Sequence, residues 1–497
     1  MDKTVWPESW PWQAAAPCPL LPRFLPAGAL LRLEQLQPQT DRVGRLHFPL
    51  VAPPEPVALT ITDLDRHGQG LGRLDGEVIV VAGGLPGDNL LVRLGGRAKG
   101  LRHGQLERLI TASPGRRRPP CILADHCGGC SLQPFDDEHQ QQWKQASVAA
   151  ALQRLGGLTP PLRPLLAAPA GLGYRNRAVI PLERTADGHL RAGYYRRGSH
   201  RIVNLNHCPV LDPRLDRLIA PLKSDLEASD WPIDRHGGGG LRHLALRLGV
   251  NTGEVLLTLI AADADLPGLE AYAEDWMARW PELVGVSLNL QPQPTNLLMG
   301  PETRCLAGRS WLEEHFGGLS YQIGADTFFQ VHTQQAERVL PLLQEALGPA
   351  TGRLLDAYCG IGTFSLPLAL AGWSVHGIEQ HPAAVALARR NAAANGLAAT
   401  ATFEQGLVGE RLAQRLTGVQ ALLLDPPRKG LDRRDIGAIL ADPPPRLAYL
   451  SCDSATLARD LASLAGADGP YQLDWLQPID FFPNTSHVEV LAALRRP

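Results

Sequence analysis

The sequence predicts an α/β protein with three parts: a small β-barrel, a central α+β region and a C-terminal doubly wound parallel sheet. Residues 57–110 contain short strands separated by glycine-rich turns, a pattern typical of a small barrel. From about residue 328, buried strands alternate with helices, which indicates a parallel sheet. Residues 174–320 mix strands and helices without that alternation. The length of 497 residues is enough for about three domains.

Composition excludes several protein classes. Hydrophobic residues make up 44% of the chain and charged residues 20%, values of a globular protein rather than a wholly disordered one. No run approaches the ~18 apolar residues of a transmembrane helix. No basic segment precedes an apolar one near the start, where Pro17, Pro19 and Pro22 interrupt the chain, so we expect no secretory signal and a cytoplasmic location. The net charge of −2 indicates no particular partner.

The changes of pattern along the chain set the predicted boundaries. We predict a poorly ordered extension (1–54), the barrel (55–115), the central domain (116–322) and the sheet domain (323–497). For the first segment, a misassigned translation start is an equal alternative. Within the barrel we expect a bend at 70–72, and within the central domain a helix at about 137–155.

Basic residues cluster in two places. Residues 93–118 contain eight Lys or Arg and one acidic residue, and residues 171–201 contain seven Arg and two acidic residues. The second cluster is interleaved with Tyr174, Tyr194 and Tyr195. Arginine next to aromatic rings suits phosphate contacts together with base stacking, so the pattern favours RNA. A solvated basic face explains the same residues equally well.

The predicted sheet carries a cofactor loop after its first strand. We expect strands at 353–356, 374–378, 401–404, 421–424 and 446–450, followed by an antiparallel pair at 474–479 and 488–494. The first strand runs through Gly360 and Gly362 into a helix, and Glu379 ends the next strand 19 residues after Gly360. A carboxylate at that position can accept both ribose hydroxyls of a nucleoside cofactor. Because no third glycine follows to seat a pyrophosphate, S-adenosylmethionine (SAM) fits better than a dinucleotide.

Three further motifs follow strand ends of the same sheet. Asp425 begins Asp-Pro-Pro-Arg-Lys-Gly after the fourth strand, Cys452 lies in Ser-Cys-Asp after the fifth, and Glu489 ends a motif at the sheet edge. Ligands of open α/β sheets bind beyond the carboxyl ends of the strands. A single cysteine is most often a small buried hydrophobic residue, but this position, with a carboxylate arriving beside it, favours chemistry.

These motifs resemble the bacterial RNA (uracil-5-)-methyltransferase family. The resemblance rests on the segments 425–430, 451–460 and 482–489, on Asp-Thr-Phe-Phe-Gln-Val at 326–331 and on the Cys-Gly-Ile-Gly loop. Segment 57–110 resembles the TRAM domain, an RNA-binding barrel of the OB type, and the whole resemblance covers roughly residues 57–497. It implies a class I SAM-dependent enzyme in which Cys452 is the nucleophile and Glu489 the general base. It also implies a SAM site with the following lining residues: Gln330, Tyr358, Gly360, Gly362, Thr363, Glu379 and Asp425.

The reaction explains why these residue types are needed. Carbon 5 of uracil is a poor nucleophile until a thiolate adds to carbon 6 and produces an enolate, which can then attack the methyl group of SAM. A base must afterwards remove the proton from carbon 5 so that the thiolate can leave. The target uridine must also be flipped or unstacked to reach the site.

Four of the eight cysteines have the spacing of a metal site: Cys121, Cys127, Cys130 and Cys208. Because a cytoplasmic chain disfavours structural disulfides, we interpret them as ligands. Spacing alone leaves zinc and an iron–sulfur cluster open. The resemblance to one branch of the family implies a 4Fe-4S cluster, with a role in folding or RNA shaping, and implies that the segment near 137–160 packs with the catalytic domain.

The resemblance also implies a target. The TRAM segment and the cysteine quartet favour the branch that methylates 23S ribosomal RNA, although the two features together are compatible with either RNA. We expect a monomer without membrane contact that acts on 23S ribosomal RNA before ribosome assembly is complete. The same chemistry on tRNA is the nearest alternative. An amino-group methyltransferase that uses Asp425-Pro-Pro, or a non-catalytic RNA-binding protein, are the others. Two departures from the family pattern are Ser454, where proline is common, and Gln405-Gly406, where Asn or Asp is common.

Overall fold

The computed structural model describes residues 55–233, 239–293, 295 and 297–497, and two short strands before them, β1 (Gln39–Thr40) and β2 (Leu46–His47). The two strands pair with each other in antiparallel orientation. The remainder of the predicted extension 1–54, including Cys18, lies outside the described residues. The chain divides into two compact units, Met1–Pro56 and Val57–Pro497.

A closed barrel opens the second unit, as the sequence predicts. Its strands are β3 (Val57–Leu64), β4 (Gly70–Leu74), β5 (Glu77–Val81), β6 (Asn89–Ala98) and β7 (Leu101–Thr111), in the order β3-β4-β5-β7-β6. Leu59, Ile61 and Ile79 are among the residues that fill its interior. The expected bend at 70–72 is part of strand β4. Glycine is needed at Gly70 because a Cβ there would lie 2.8 Å from the carbonyl oxygen of Gly84.

The central region contains a six-stranded mixed sheet in the order β13-β12-β11-β10-β8-β9. Its strands are β8 (Arg177–Arg184), β9 (Leu190–Ala192), β10 (Leu241–Leu248), β11 (Val255–Ala261), β12 (Leu283–Leu290) and β13 (Glu302–Gly308). Before the sheet comes helix α1 (Asp137–Gly156), and within it are α2 (Pro213–Ala228) and α3 (Leu269–Arg279). The apolar faces of α2 and α3 share one core with the sheet, since Leu218 and Trp276 are buried with Leu257. This is the predicted α+β arrangement.

A seven-stranded sheet forms the C-terminal part, in the order β18-β17-β16-β19-β20-β22-β21. Its strands are β16 (Arg353–Ala357), β17 (Ser374–Glu379), β18 (Ala401–Gln405), β19 (Ala421–Leu424), β20 (Arg446–Ser451), β21 (Gln472–Ile479) and β22 (Glu489–Arg495). Strands β16 to β20 pair in parallel, while β22 pairs with β20 in antiparallel orientation. The doubly wound sheet with an antiparallel edge pair is therefore confirmed.

Side chains that alternate along each strand bury both faces of this sheet. In β19, Leu423 belongs to one core, and Leu422 and Leu424 belong to the other. Near the first face are α4 (Thr333–Glu337), α5 (Leu340–Leu347), α6 (Ser365–Leu370) and α7 (Pro382–Ala394); on the second are α8 (Val408–Arg415), α9 (Arg433–Ala441) and α10 (Ser454–Ala465). Runs that are apolar at every position are what a sheet covered on both faces requires.

Two elements join this domain from outside its predicted limits. Helix α1 packs on α10, with Val148 and Leu152 buried beside Leu457. The hairpin β14 (Trp311–Phe316) and β15 (Leu319–Gly324) buries Phe316 and Tyr321 in the first core. The predicted boundary between residues 322 and 323 thus falls within β15. In the part of the chain that the structure describes, no helix is long and apolar enough to cross a membrane.

Candidate active site

The register of the sheet brings Cys452 and Glu489 to the same edge. Cys452 directly follows β20, and Glu489 is the first residue of β22. Ser451 pairs with Val490 across these antiparallel strands. Extending this register by one residue sets Cys452 opposite Glu489. The side chain of Asp453 accepts hydrogen bonds from the backbone N–H groups of Ala455 and Thr456, each at 3.0 Å, and so caps helix α10 directly after the cysteine.

Burial and two neighbouring carboxylates disfavour the thiolate form of Cys452. Burial, together with the neighbouring carboxylates of Glu489 and Asp425, raises the pKa of Cys452 to about 11, while Arg428 opposes the rise. Burial raises the pKa of Glu489 to about 8, with Asp425 adding to the effect and Arg428 opposing it. Burial raises the pKa of Asp425 to about 7. The four side chains are therefore electrostatic neighbours, and a cation placed among them would favour both the thiolate and the carboxylates.

Asp460 holds the loop that carries Asp425 and Arg428. Its buried carboxylate accepts the backbone N–H of Leu431 at 2.9 Å and the hydroxyl of Tyr449 at 2.8 Å. At Gly430, where φ is 73°, a Cβ would lie 2.6 Å from that carboxylate, so only glycine fits. The loop after β19 thus has a defined course over the start of α10. Sequence reasoning did not single out Asp460, although it lies eight residues after Cys452 within the matched motif.

The cofactor loop after β16 has the conformation that its glycines allow. The φ angles of Tyr358, Gly360 and Gly362 are 73°, 56° and 84°, all in the left-handed region. No atom lies within 4 Å of a Cβ built at Gly360, so the backbone there is open to close approach by a ligand. Glu379, at the end of β17, accepts the N–H of Gly360 at 3.1 Å and that of His381 at 2.8 Å. The loop and the predicted ribose-binding carboxylate are therefore in direct contact.

The other predicted SAM residues have partners in several segments of the chain. Tyr358 donates its hydroxyl to Asp435 at 3.0 Å. Thr363 is buried, and its carbonyl accepts the hydroxyl of buried Tyr321 at 3.2 Å. Gln330 is buried, and its carbonyl accepts Asn176 Nδ2 at 2.9 Å. Contacts such as those of Tyr321 and Asp435 were not predicted, because they link segments that are far apart in sequence.

Asp356 adds a further buried carboxylate below the cofactor loop. It accepts the hydroxyl of Ser365. Burial raises its pKa to about 7, although the hydrogen bond from Ser365 opposes this; the charges of Asp425 and Glu379 act in the same direction as burial. The end of the sheet under the site therefore has an excess of acidic groups, which suits a ligand with a positive charge such as a sulfonium.

A cleft of about 390 Å³ leads from the barrel to Cys452. Its lining combines the barrel, helix α1 and the motif before β22, through Leu64, Arg66, Trp143, Cys452, Ser486 and His487. Hydrogen bonds connect the barrel region to helix α1 and to the motif before β22. Ser486 Oγ donates to the carbonyl of Arg66 at 2.8 Å, and Trp143 Nε1 donates to Asp63 at 3.0 Å. The thiol is therefore reached along a surface shared with the barrel.

Helix α1 contributes two buried polar residues to this region. Lys144 donates to Asp480 at 2.7 Å and to the carbonyl of Phe482 at 3.0 Å, and Gln140 contacts Asn484. Burial lowers the pKa of Lys144, and Asp480 opposes this. A signal for these residues was present in the sequence, because Gln140 and Lys144 continue the four-residue spacing of buried Val148 and Leu152. Polar residues on the buried stripe of a helix need partners.

The four predicted metal ligands come together only loosely. All four cysteines are free, and burial raises the pKa of Cys130 to about 12, with the charges of Cys208 and Cys127 adding to it. The charge of Cys121 likewise raises the pKa of Cys127. The thiols are thus neighbours, a donor set that suits zinc or an iron–sulfur cluster. Within the described residues, however, no three His, Cys, Asp or Glu side chains are arranged to hold a metal ion.

Comparisons with known proteins agree with this architecture. A family model described as tRNA (Uracil-5-)-methyltransferase matches residues 313–496, and a TRAM domain model matches residues 56–94. A protein of Parasynechococcus marenigrum (strain WH8102) named as an uncharacterized RNA methyltransferase is 51% identical over 442 residues, which cover 88% of this chain and 95% of the relative. A protein of Nostoc sp. (strain PCC 7120) with the same description is 48% identical over 444 residues, covering 88% and 96%.

A solved structure resembles nearly the whole described chain. It is the crystal structure of the tRNA (uracil-54, C5)-methyltransferase of Pyrococcus abyssi in complex with S-adenosyl-L-homocysteine. The TM-score is 0.71 and the sequence identity 28%, and the match covers 88% of this chain and 99% of that one. The similarity extends over the barrel, the central region and the sheet domain together.

Proposed function

The chain belongs to the TRAM-containing RNA uracil-5-methyltransferase family, and we propose that it methylates carbon 5 of one uridine in 23S ribosomal RNA through Cys452 and Glu489. The observation that carries the assigned chemistry is the sheet register, which continues from the Ser451–Val490 pair to set Cys452 opposite Glu489 at the carboxyl end of β20. The 23S ribosomal RNA target is proposed from the TRAM domain and the cysteine quartet together. The cofactor loop opens at the same end of the sheet. SAM is the methyl donor of the family.

The proposed reaction begins with Cys452. Its thiolate forms a bond to carbon 6 of the flipped uracil, and the electron pair of the 5,6 double bond moves to give an enolate. Carbon 5 then takes the methyl group of SAM, which becomes S-adenosylhomocysteine. Because the Cys452 pKa is raised to about 11, a free thiol predominates near neutral pH. The sulfonium charge of SAM and the guanidinium of Arg428 both favour the thiolate.

Glu489 completes the reaction in this proposal. It takes the proton from carbon 5, the 5,6 double bond forms again, and the bond between carbon 6 and sulfur breaks to release Cys452. With a pKa of about 8, Glu489 is a stronger base than an ordinary glutamate when it is ionised, and Arg428 favours the ionised form that the reaction requires. Asp425, Glu379, Tyr358, Gln330, Thr363, Gly360 and Gly362 form the proposed SAM site. The acidic surroundings of Asp356 and Asp425 complement the positive sulfonium.

RNA reaches this site through the cleft shared with the barrel. The barrel matches the TRAM domain and contributes Leu64 and Arg66 to the lining. The proposed domains are the barrel at 55–115, the central domain at 116–322 and the catalytic domain at 323–497. We place the reaction in the cytoplasm, with the enzyme acting as a monomer on RNA that is not yet fully assembled into ribosomes.

For the cysteine quartet we propose a 4Fe-4S cluster, with zinc as the alternative. Support comes from the donor set: four free, partly buried thiols, of which Cys127, Cys130 and Cys208 have pKa values raised by burial and by the charges of neighbouring thiolates. A bound cluster would supply the positive charge that stabilises these thiolates. Because methyl transfer involves no net oxidation or reduction, a folding or RNA-shaping role is the simplest one for it.

The target is tested by mapping the modified base. Purified protein, SAM with a labelled methyl group, and either 23S ribosomal RNA or tRNA transcripts are incubated, and the product nucleoside is identified by mass spectrometry. We expect 5-methyluridine at one position of 23S ribosomal RNA. Label in a purine or in a protein would contradict uracil chemistry, and binding without transfer would support a non-catalytic RNA-binding protein.

Transfer RNA is a second candidate, favoured by one observation. The solved structure that covers 88% of this chain is that of a tRNA (uracil-54, C5)-methyltransferase. If 5-methyluridine forms in tRNA but not in 23S ribosomal RNA, the proposed chemistry stands and the proposed target is wrong. Testing both RNAs at equal concentration, and together in competition, gives the ratio of the two kcat/KM values directly.

A further inference from the structure

The segment that leads into Glu489 is held by residues from other parts of the chain. We call residues 480–488, between β21 and β22, the catalytic loop. At its centre lies Asn484, which is 1% exposed and has a φ angle of 66°. Asparagine is among the few non-glycine residues that adopt this left-handed conformation readily. A buried asparagine in such a conformation needs partners for its amide and backbone groups.

Asn484 finds these partners in several separate segments. Its backbone N–H donates to Gln140 Oε1 of helix α1 at 2.9 Å. Its carbonyl accepts the N–H of Leu132 at 2.9 Å. Its side-chain Nδ2 donates to the carbonyl of Gly171 at 2.7 Å, and its Oδ1 accepts Arg117 Nη2 at 3.1 Å. A longer contact of 3.3 Å joins the same Oδ1 to Gln140 Nε2.

Leu132 extends these contacts to the cysteine loop, which we define as residues 121–132. Its carbonyl accepts Gln140 Nε2 at 3.1 Å, and the same glutamine contacts Asn484. Arg117, which bonds Asn484, also donates its Nε to the carbonyl of Gln133 at 3.1 Å. The cysteine loop, helix α1 and the catalytic loop are therefore joined at one buried asparagine. None of these contacts is made by the strands that hold Cys452.

We propose that Asn484 is a positioning residue for Glu489: it fixes the catalytic loop against helix α1 and the cysteine loop so that Glu489 can take the proton from carbon 5. This inference rests on the proposed function. From Asn484 the chain continues through Thr485, whose Oγ1 donates to the carbonyl of Phe482 at 2.8 Å and accepts the N–H of His487 at 3.2 Å. Glu489 lies five residues after Asn484, as the first residue of β22. It pairs with Ile479 of β21, but the pairs with β20 end at Val490, so the course of the catalytic loop affects the base at this end of the strand.

Cys452 is held by different contacts. It follows β20, whose pairing with β19 and β22 is continuous, and the capping of α10 by Asp453 fixes the chain after it. A change at Asn484 should therefore affect proton removal more than thiolate addition and methyl transfer. An overall loss of structure would instead slow all steps, so a ratio of rates separates the two explanations.

The test compares two steps in one experiment. Under single-turnover conditions with methyl-labelled SAM and RNA, formation of the labelled covalent RNA–protein adduct and its later disappearance are followed on denaturing gels. In Asn484→Gly, the backbone can keep its positive φ while the bonds of the side chain to Gly171, Arg117 and Gln140 are lost. We expect adduct formation within about 2-fold of the natural protein and adduct resolution slowed by about 10-fold or more.

A second, milder variant gives an intermediate effect and keeps the test valid if the first variant does not fold. In Asn484→Asp, the carboxylate still accepts from Arg117 and Gln140 but cannot donate to Gly171, so resolution should be slowed less than in Asn484→Gly. Asp468→Gly, in an exposed turn before β21, is the control for adding a glycine, and both its rates should be unchanged. If Asn484→Gly does not fold, the ratio of rates in Asn484→Asp decides.

The outcomes separate this inference from the proposed function. If the natural protein and Glu489→Gln never form a SAM-dependent adduct, the proposed chemistry is wrong. If they behave as proposed, but the Asn484 variants leave resolution unchanged or slow formation and resolution equally, Asn484 does not position Glu489.

Discussion

The thiol of Cys452 and the four thiols of the quartet Cys121, Cys127, Cys130 and Cys208 are held in opposite ways. Cys452 directly follows a strand in the middle of a paired sheet, where backbone hydrogen bonds set its neighbours. The residues from Cys121 to Cys130 lie between elements, and no three ligand side chains in the described structure are arranged around a metal. The position of Cys452 therefore follows from the register of the sheet, whereas the quartet combines the segment 121–130 with Cys208, which lies between β9 and α2.

The groups that raise the thiol pKa values also differ between Cys452 and the quartet. At Cys452 the raised pKa comes from burial and from two carboxylates, and Arg428 already opposes it. In the quartet, burial and the charges of neighbouring thiolates raise the pKa values of Cys130 and Cys208. Arg197 opposes the rise of the pKa at Cys127, and Arg175 opposes it at Cys130. At Cys452 the proposed SAM would bring a positive sulfonium close to the thiolate, and in the quartet the proposed metal group would supply the positive charge.

The largest expected effect is that of replacing Cys452. In Cys452→Ala no covalent bond to carbon 6 can form, so methyl transfer should fall by about 10⁴-fold or more, without loss of structure. The measurement is the initial rate of label transfer from SAM to RNA. Cys305→Ala, at an exposed cysteine of β13, is the matched control and should retain full activity. Substantial transfer by Cys452→Ala would show that another group is the nucleophile.

The metal content of the purified protein tests the proposal for the cysteine quartet. Protein purified without oxygen should be brown and contain about four iron atoms per chain with no stoichiometric zinc, as a four-thiolate cluster requires. In Cys130→Ala the iron content and the visible absorption should fall together. A colourless protein with one zinc would mean that the quartet binds zinc and not a cluster. A protein without any metal would mean that the quartet is not a metal site. Neither result would affect the methyltransferase assignment.

At the cofactor loop we expect a smaller effect. Glu379→Ala removes a carboxylate that accepts the N–H of Gly360 and is proposed to bind ribose. SAM affinity measured by calorimetry should weaken by about 1.5–3 kcal/mol, or roughly 10- to 150-fold in Kd. Glu410→Ala, at an exposed glutamate of α8, should leave Kd unchanged. Equal affinities in the two variants would remove Glu379 from the SAM site.

The buried carboxyl of Glu489 should also make stability depend on pH. Its pKa is raised to about 8 in the folded protein, against ~4.3 in an unfolded chain, so the folded state holds the proton more tightly. This contribution to stability is fully present below about pH 4 and is lost as pH rises towards 8. Between pH 5.5 and 8.5 the Tm of the natural protein should fall by about 3 °C more than that of Glu489→Gln.

Scanning calorimetry of both proteins in the same buffers measures this difference. Asp356 and Asp425, with pKa values raised to about 7, should give Glu489→Gln a remaining pH dependence of the same sign. Parallel Tm curves for the two proteins would mean that Glu489 is ionised in the folded state throughout this range.

The catalytic sheet was predictable from sequence because its signals are local. Apolar strands such as Ala421–Leu424 and the motifs that follow them define both the fold and the positions of Asp425 and Cys452. The hydrogen bonds of Asn484 with Gln140 and Leu132 could not be predicted, since they join segments more than 300 residues apart. The bend expected at Gly70 is a strand for a related reason: a glycine permits a close approach that only the folded barrel reveals.

A covalent adduct tests the central claim, that Cys452 adds to uracil and Glu489 acts only afterwards. If so, Glu489→Gln still adds its thiolate and transfers the methyl group, but resolves the adduct about 10²- to 10⁴-fold more slowly. On a denaturing gel we expect a retarded band that requires SAM, contains RNA and methyl label, and is absent from the Cys452→Ala, Glu489→Gln double variant. Normal turnover by Glu489→Gln, or an adduct that persists without Cys452, would contradict the assigned roles.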